Sequence, residues 1–156
     1  MDTAVVILAA GKGTRMNSNR PKVMHEIGNF PMLYHCIKTA HQINPSKVIT
    51  VIGHGRTEIK QYLQNSKKPI EFVIQEEQLG TGHAVKIATN QLSNFDGNLI
   101  VMFGDTPFIS YETLIKIEAK CEQTDLVVLG FRTEESAGYG RLVTNGIELL
   151  KIVEHL

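Results

Sequence analysis

The chain has 156 residues, of which 42% are hydrophobic and 21% charged, a composition typical of one globular domain with its own core. Sixteen basic and sixteen acidic residues give zero formal charge, so no overall field would attract nucleic acid or an anionic membrane. The two cysteines, Cys36 and Cys121, stand far apart without metal-like spacing, which predicts buried, reduced thiols in a cytoplasmic protein.

Short β-branched runs alternate with helical patterns along the chain. The runs predict strands, buried on both faces, at residues 4–8, 47–52, 70–74, 99–103 and 126–131. Apolar residues at helical spacing predict helices within 32–43, 84–92 and 114–117. Ser110 is a predicted N-cap of the last helix, with Glu112 in its first turn. This alternation predicts an α/β fold with a three-layer, mostly parallel, doubly wound sheet.

The end of the chain has a different pattern. Residues 141–144 and 147–153 flank Asn145-Gly146, which predicts a hairpin with the two positive φ angles of a type I′ turn. The last strand is rich in apolar residues and has no following partner, so it predicts an exposed apolar edge.

A glycine loop follows the first predicted strand, in the stretch Leu8-Ala-Ala-Gly-Lys-Gly-Thr-Arg-Met16. Glycines at 11 and 13 permit positive φ and let backbone N–H groups approach an anion. The cations around this loop are Lys12, Arg15 and Lys22. The stretch lacks the third glycine of a dinucleotide fingerprint and the Gly-Lys-Ser/Thr of a Walker loop. We predict a long phosphate-binding loop, with an ordinary strand-to-helix turn as the alternative.

Loops that follow parallel strands meet at one edge of the sheet, where ligands of such folds bind. This rule brings His54, residues 75–82 and Gly104-Asp105 to the edge that carries the glycine loop. Asp105 is a predicted Mg²⁺ ligand, since Mg²⁺ takes one or two carboxylates together with waters and substrate phosphates. A turn aspartate before Pro107 is the alternative.

The segment from Gln75 to Ala84 predicts a second polar cradle, because a helix that begins there presents its N–H groups to the edge. Thr81 serves either in that cradle or as an N-cap. The Gln75 amide offers a donor and an acceptor, which match the edge of a base such as uracil. An exposed loop glutamine is the alternative.

Taken together, these motifs resemble those of sugar-phosphate nucleotidyltransferases. The glycine stretch with Pro21-Lys22, the run Gln75-Glu-Glu-Gln-Leu-Gly-Thr-Gly-His-Ala84, Gly104-Asp105 and Gly138-Tyr-Gly-Arg141 carry the resemblance, with Ile152-Val-Glu154 at the end. Together these motifs look like those of the uridyltransferase domain of bifunctional N-acetylglucosamine-1-phosphate uridyltransferase/glucosamine-1-phosphate acetyltransferases.

The resemblance implies a set of site residues. Those that frame uracil and ribose would be Leu8, Ala9, Ala10, Gly11, Gln75, Gly80 and Thr81. The catalytic residues would be Arg15 and Lys22 on the triphosphate and Asp105 on Mg²⁺. Gly140 and Glu154 would contact the amino sugar, and Phe103 and Gly104 would line the site.

The family joins UTP and N-acetylglucosamine 1-phosphate into UDP-N-acetylglucosamine and pyrophosphate, a step toward peptidoglycan and lipopolysaccharide. A sugar phosphate is already a nucleophile at neutral pH, so we predict Mg²⁺-assisted in-line attack on the α-phosphorus. Family members continue past Glu154 into an acetyltransferase β-helix, so residues 1–156 would be a truncated N-terminal portion. Another sugar-phosphate nucleotidyltransferase and a non-catalytic nucleotide-binding module stay open as alternatives, as does a homo-oligomer.

Overall fold

The computed structural model describes residues 1–135 and 138–153, with Arg15 described by its backbone alone. Within these ranges the strands and α-helices, in chain order, are β1 (Asp2–Ala9), β2 (Glu26–Ile27), β3 (Phe30–Pro31), α1 (Met32–Gln42), β4 (Lys47–Ile52), α2 (Arg56–Gln64), β5 (Glu71–Ile74), α3 (Thr81–Thr89), β6 (Gly97–Phe103), α4 (Tyr111–Cys121), β7 (Arg141–Asn145) and β8 (Glu148–Val153).

The main sheet has the strand order β5-β4-β1-β6, and every neighbouring pair in it is parallel. Strand β1 lies inside the sheet, where Val6 pairs with Ile49 of β4 on one side and Val101 of β6 on the other. The chain runs outward from β1 to β5 and then returns past β1 to form β6. The reversal of strand order beside β1 creates a crevice at the carboxyl edge of the sheet.

Alternating residues of β1 contact different helical layers. Val5 and Ile7 pack into a core with α1, α2 and α4, and Val6 packs into a second core with α3. All three valine and isoleucine side chains are fully buried. Burial on both faces explains why this strand is a continuous apolar run, and it confirms the predicted three-layer α/β fold.

Helix α2 was not predicted from the sequence. Its buried apolar residues are Ile59 and Leu63, one helical turn apart, in an otherwise polar segment. Two anchoring positions are too few to produce a clear helical period, although the acidic Glu58 in the first turn is favourable at a helix N-terminus.

The strand predicted at residues 126–131 is wrong. This segment has no regular secondary structure, and Leu126, Leu129 and Phe131 are 65%, 54% and 68% exposed. An apolar run forms a buried strand only where neighbouring strands and helices cover it, and no described element does so here.

The predicted C-terminal hairpin is confirmed, but its turn lies one residue later than expected. Asn145 pairs with Glu148, so Gly146 and Ile147 form the turn, and of these Gly146 alone has a positive φ, of 62°. The type I′ turn at Asn145-Gly146 is therefore wrong. Strand β8 pairs with β7 alone among the described strands, and its Leu150 and Ile152 are exposed, as expected for an apolar edge.

Both cysteines are free, as predicted. Cys36 is buried, whereas Cys121 is half-buried, so the prediction that both are buried is wrong for Cys121. In the part of the chain that the structure describes, no helix has the length and apolar character needed to cross a membrane.

Candidate functional site

A cavity of about 490 Å³ opens at the carboxyl edge of the sheet, beside the end of β1. The residues predicted for the site that line this cavity are Leu8, Ala9, Ala10, Gly11, Lys22, Gln75, Gly80, Thr81, Phe103 and Asp105. They come from the ends of β1 and β6, from the segments that follow β1, β5 and β6, and from the start of α3. The reversal of strand order at β1 brings these separate segments to one place.

The glycine loop folds back so that Gly13 lies against Lys22. Gly13 has φ 60°, and a Cβ on it would lie 2.8 Å from Cβ of Lys22, so glycine is required here for both conformation and space. A single 3-10 turn, Thr14–Met16, follows Gly13, in agreement with the prediction of a loop rather than a long helix. Gly11 does not adopt the positive φ that glycine permits, and a Cβ on it would meet open space.

Contacts with α2 fix the segment that carries Lys22. Gly55, at the start of α2, has φ 67°, and a Cβ there would overlap the ring of Pro21. The Arg20 guanidinium forms ion pairs with Glu58 of α2 at 2.9 Å and with Glu26 at 3.5 Å. The hydrogen bond to Glu58 raises the pKa of Arg20. Helix α2, which was not predicted from the sequence, therefore supports the segment that carries the predicted site residue Lys22.

Lys22 and Asp105 line the cavity and form an ion pair with each other. Lys22 Nζ donates to Asp105 Oδ2 at 2.7 Å, and the two side chains are 39% and 34% exposed. Asp105 follows the end of β6, and Gly104 before it donates its backbone N–H to the carbonyl of Leu8 at 2.9 Å. A Cβ on Gly104 would lie 3.0 Å from that oxygen, so glycine lets the Asp105 turn approach β1 closely.

Asp105 could hold a divalent cation. Within the described ranges, no group of three or more His, Cys, Asp or Glu side chains is arranged around a common point. A single, partly exposed carboxylate nevertheless fits Mg²⁺, whose other ligands are commonly waters and substrate phosphates.

Gln75 is buried rather than an exposed loop residue, since it is 4% exposed. Its backbone N–H donates to Ile52 at 2.8 Å, which continues the β4–β5 ladder into the loop. Its side-chain Nε2 donates to the Gly80 carbonyl at 3.1 Å and lies 3.2 Å from His83 Nδ1. The amide donor that was predicted to face a base is thus already engaged within the protein.

Helix α3 begins at Thr81, directly after the loop that follows β5. Gly80, with φ 96°, is the N-cap residue and makes no side-chain bond, so the alternative of Thr81 as N-cap is wrong. Thr81 is exposed and lines the cavity. In α4, by contrast, the predicted N-cap is confirmed, because Ser110 Oγ accepts from the Thr113 N–H at 3.2 Å. Hydrogen bonds to its own backbone and to Ser110 lower the pKa of Glu112 in the first turn.

A buried thiol lies behind the Asp105 turn. Cys36 Sγ is 3.5 Å from the Phe103 carbonyl and 3.6 Å from the Gly104 carbonyl, as expected for a weak S–H donor. Burial, with a smaller contribution from the Asp105 charge, raises the pKa of Cys36 to about 11.

Other predicted residues lie elsewhere. Gly140 precedes β7 and does not line the cavity, and Glu154 lies outside the described residues. The Arg15 side chain is also outside the description. His54 is at the predicted edge, where its backbone N–H donates to Ala10 at 3.2 Å, but its side chain does not line the cavity.

Some lining residues were not among the predicted site residues. They are Gly13, Thr14, Met16, Val23, Gln78 and Ala84, together with the loop cation Lys12. Gly13 and Lys12 were recognised as loop features, and Gln78 and Ala84 belong to the motif after β5. Val23 gave no signal, because it enters the cavity wall through a one-turn 3-10 helix, Lys22–Met24, whose sequence has no distinct period.

The sheet and its site define a class of protein. Nucleotide-binding α/β domains share this architecture: a parallel sheet with helices on both faces, a glycine loop at the end of an inner strand, and charged groups in the adjacent crevice. More specifically, the chain belongs to the family of MobA-like NTP transferase domains, whose family model matches residues 5–147.

Known relatives and structures agree with this membership. The chain is 47% identical over 155 residues to the bifunctional protein GlmU of Roseobacter denitrificans, an alignment that covers 99% of this chain and 34% of the relative. It thus spans about a third of the length of the curated relatives that it matches.

Solved structures share the fold. A putative glucose-1-phosphate thymidylyltransferase from Bacillus anthracis superimposes with a TM-score of 0.76 at 17% identity, over 97% of this chain and 64% of that one. HddC from Yersinia pseudotuberculosis, complexed with GMP-PN, gives 0.74 at 25% identity, over 97% and 68%.

Proposed function

We propose that this chain transfers a uridylyl group from UTP to N-acetylglucosamine 1-phosphate, giving UDP-N-acetylglucosamine and pyrophosphate for peptidoglycan and lipopolysaccharide. The observation that carries the proposal is the cavity in which the glycine loop, the Lys22–Asp105 pair and Gln75 meet. The 47% identity to GlmU of Roseobacter denitrificans across nearly the whole chain supports the choice of base and sugar. Residues 1–156 would then act as a nucleotidyltransferase domain.

The nucleotide would occupy the cavity from the α3 side toward the ion pair. The base would lie against Gln75, Gly80 and Thr81, and the ribose along residues 8–11. The triphosphate would extend to Lys22, with Arg15 contributing a second cation from the 3-10 turn. Backbone N–H groups of the glycine loop would suit phosphate oxygens, because they need no side chain to reach them.

Asp105 would hold Mg²⁺ beside the phosphates. Its Oδ2 is paired with Lys22, and Oδ1 has no hydrogen-bond partner in the described part of the chain, so this oxygen can accept a cation. When bound, Mg²⁺ would supply positive charge against the α- and β-phosphate oxygens.

The protein's own groups would then position the reactants. The sugar phosphate loses its second proton near pH 6, so at neutral pH it needs no general base from the protein. Its oxygen would attack the α-phosphorus of UTP in line, and the bond from this phosphorus to the bridging oxygen would break to release pyrophosphate. Lys22 and Arg15 would stabilise the charge that develops on the leaving group.

The amino sugar would enter near Phe103, whose ring is 47% exposed at the cavity wall beside Gly104. Gly140 and Glu154 are proposed as its further contacts. The free thiols are in keeping with a reducing compartment, and we propose the cytoplasm as the site of action.

A substrate panel tests this proposal. The chain would be incubated with Mg²⁺ and one nucleotide at a time, chosen from UTP, TTP, CTP and GTP. Each nucleotide would be combined with either N-acetylglucosamine 1-phosphate or glucose 1-phosphate. Pyrophosphate release would be measured for every pair. We expect the highest rate with UTP and N-acetylglucosamine 1-phosphate. A different preferred pair would identify another sugar-phosphate nucleotidyltransferase, and a higher melting temperature with UTP but no pyrophosphate would identify a non-catalytic binding module.

A further inference from the structure

The Gln75 side chain presents one free atom to the cavity. Its Nε2 contacts two protein groups, the Gly80 carbonyl at 3.1 Å and His83 Nδ1 at 3.2 Å. Its Oε1 has no hydrogen-bond partner among the residues that the structure describes, and the residue is 4% exposed while lining the cavity. A ligand at this point therefore meets an acceptor, not the donor–acceptor pair of a free amide.

The two contacts fix both the amide and the histidine tautomer. The Gly80 carbonyl can only accept, so the amide atom beside it must be the nitrogen. The second N–H of that nitrogen is directed to His83 Nδ1, which can accept only if it carries no proton. His83 must then be neutral with its proton on Nε2.

We infer that His83 is a positioning residue for base selection: it holds the Gln75 carbonyl toward the ligand, so the site accepts a base with a ring N–H at this edge. The inference rests on the proposed uridine nucleotide. Uracil carries such a donor at N3, whereas N3 of cytosine is an acceptor and would face Oε1 without a proton between them. A site built to accept an N–H rejects an analogue that lacks it, because a buried polar group is left unpaired.

His83 adds a second contact to the one by which the Gly80 carbonyl holds the amide. The last torsion of a glutamine side chain has broad minima, so packing alone does not distinguish its oxygen from its nitrogen. The Gly80 carbonyl satisfies one N–H, and without His83 the other would be unpaired in a buried place. Rotation of the amide gives up the Gly80 bond and brings Oε1 toward that carbonyl, and loss of the His83 contact lowers the net cost of this rotation, which would present nitrogen to the base and favour cytosine.

Calorimetric titration of UTP and CTP, each with Mg²⁺ and no sugar phosphate, tests the inference. The ratio of the two Kd values is compared for the unaltered chain, His83→Leu and His83→Asn. We expect His83→Leu to reduce the preference for UTP about tenfold, the equivalent of one hydrogen bond. His83→Asn should retain it, because Oδ1 of asparagine can accept where Nδ1 does. Lys86→Ala, an exposed change on the same helix, should leave the ratio unaltered.

An unchanged ratio in His83→Leu, or an equal loss in both histidine variants, would overturn the inference while leaving the uridine site intact. Failure of the unaltered chain to bind UTP would instead overturn the proposed function, and the inference with it. If His83→Leu does not fold, His83→Lys replaces it. This variant places an ammonium donor opposite Nε2 of Gln75, and it should likewise reduce the preference for UTP over CTP.

Discussion

At the scale of single residues, the Lys22–Asp105 pair is the chemical centre of the cavity. The 2.7 Å contact joins a loop after β1 to a turn after β6, and both side chains stay partly open to solvent. An ion pair so exposed contributes little to folding stability, about 0–1 kcal/mol. Its importance is therefore expected in turnover rather than in stability.

Substitution of either member should show this separation. We expect Lys22→Ala and Asp105→Ala each to lower turnover by about 10²-fold or more, because each removes charge stabilisation from the transition state. Pyrophosphate release under saturating UTP measures the effect. Lys67→Ala and Asp96→Ala, which change exposed charges of the same types outside the cavity, serve as controls and should retain activity. Near-normal turnover by both cavity variants would refute these roles.

Cys36 gives a prediction of pH dependence. Its pKa rises from an ordinary value of 9.0 to about 11 in the folded chain, so the unfolded chain loses this proton first as pH rises. The stabilisation is complete below pH 9 and lost by pH 11, and the free energy of unfolding should fall by about 3 kcal/mol over that window.

Urea unfolding at several pH values measures this loss. The matched variant is Cys36→Ala, which should have a smaller decrease between pH 9 and 11. Equal decreases in the two chains would contradict the prediction and assign the alkaline loss to other groups, such as Tyr62, whose pKa burial also raises.

At the scale of secondary-structure elements, α2 and the loop before it act as a support for the site. Pro21 packs where Gly55 has no side chain, so the start of α2 determines where Lys22 lies. The sequence showed the Pro21-Lys22 motif but not this contact. Residues 21 and 55 are distant in the chain, and a local pattern contains no information on which elements pack together.

Gly55→Ala should therefore damage both stability and binding. A Cβ at φ 67° is strained and overlaps Pro21, so we expect a loss of about 1–3 kcal/mol in unfolding free energy and weaker UTP binding. Thermal unfolding and UTP titration measure the two effects. Gly82→Ala is the control, because its Cβ would meet open space within α3, and it should be neutral or slightly stabilising. A Gly55→Ala chain as stable as Gly82→Ala would contradict this role.

The wrongly predicted strand at residues 126–131 is also explained at the scale of secondary-structure elements. Periodicity and β-branched residues correctly indicated the four strands of the main sheet, because those strands have partners and helices that cover them. The same kind of run at 126–131 lies uncovered. A sequence pattern reports that a segment is suited to burial, and the rest of the fold determines whether burial occurs.

At the scale of the whole molecule, the buried core and the exposed apolar hairpin occupy different parts of the chain. The first 121 residues contain the sheet, its four helices and the buried core, whereas the hairpin formed by β7 and β8 is largely exposed. The crevice that forms the site lies in the first of these parts. The parallel sheet with helices on both faces was predicted from the alternation of strands and helices, but the strand order and the orientation of the Gln75 amide required the folded structure.

A pair of leucine substitutions tests this distribution. Leu33 is fully buried and Leu150 is 57% exposed, so Leu33→Ala should cost about 2–5 kcal/mol, while Leu150→Ala should change stability by less than about 0.5 kcal/mol. Urea unfolding measures both. Comparable losses would show that the hairpin is part of the cooperative core.

The most direct test of the central claim, that the cavity at the sheet edge is a uridine triphosphate site, is calorimetric titration of UTP with Mg²⁺. We predict one bound UTP per chain, with at least tenfold weaker binding in Gln75→Leu, which leaves the phosphate-contacting residues unaltered. Absence of binding to the unaltered chain, or equal affinity in both chains, would contradict the account.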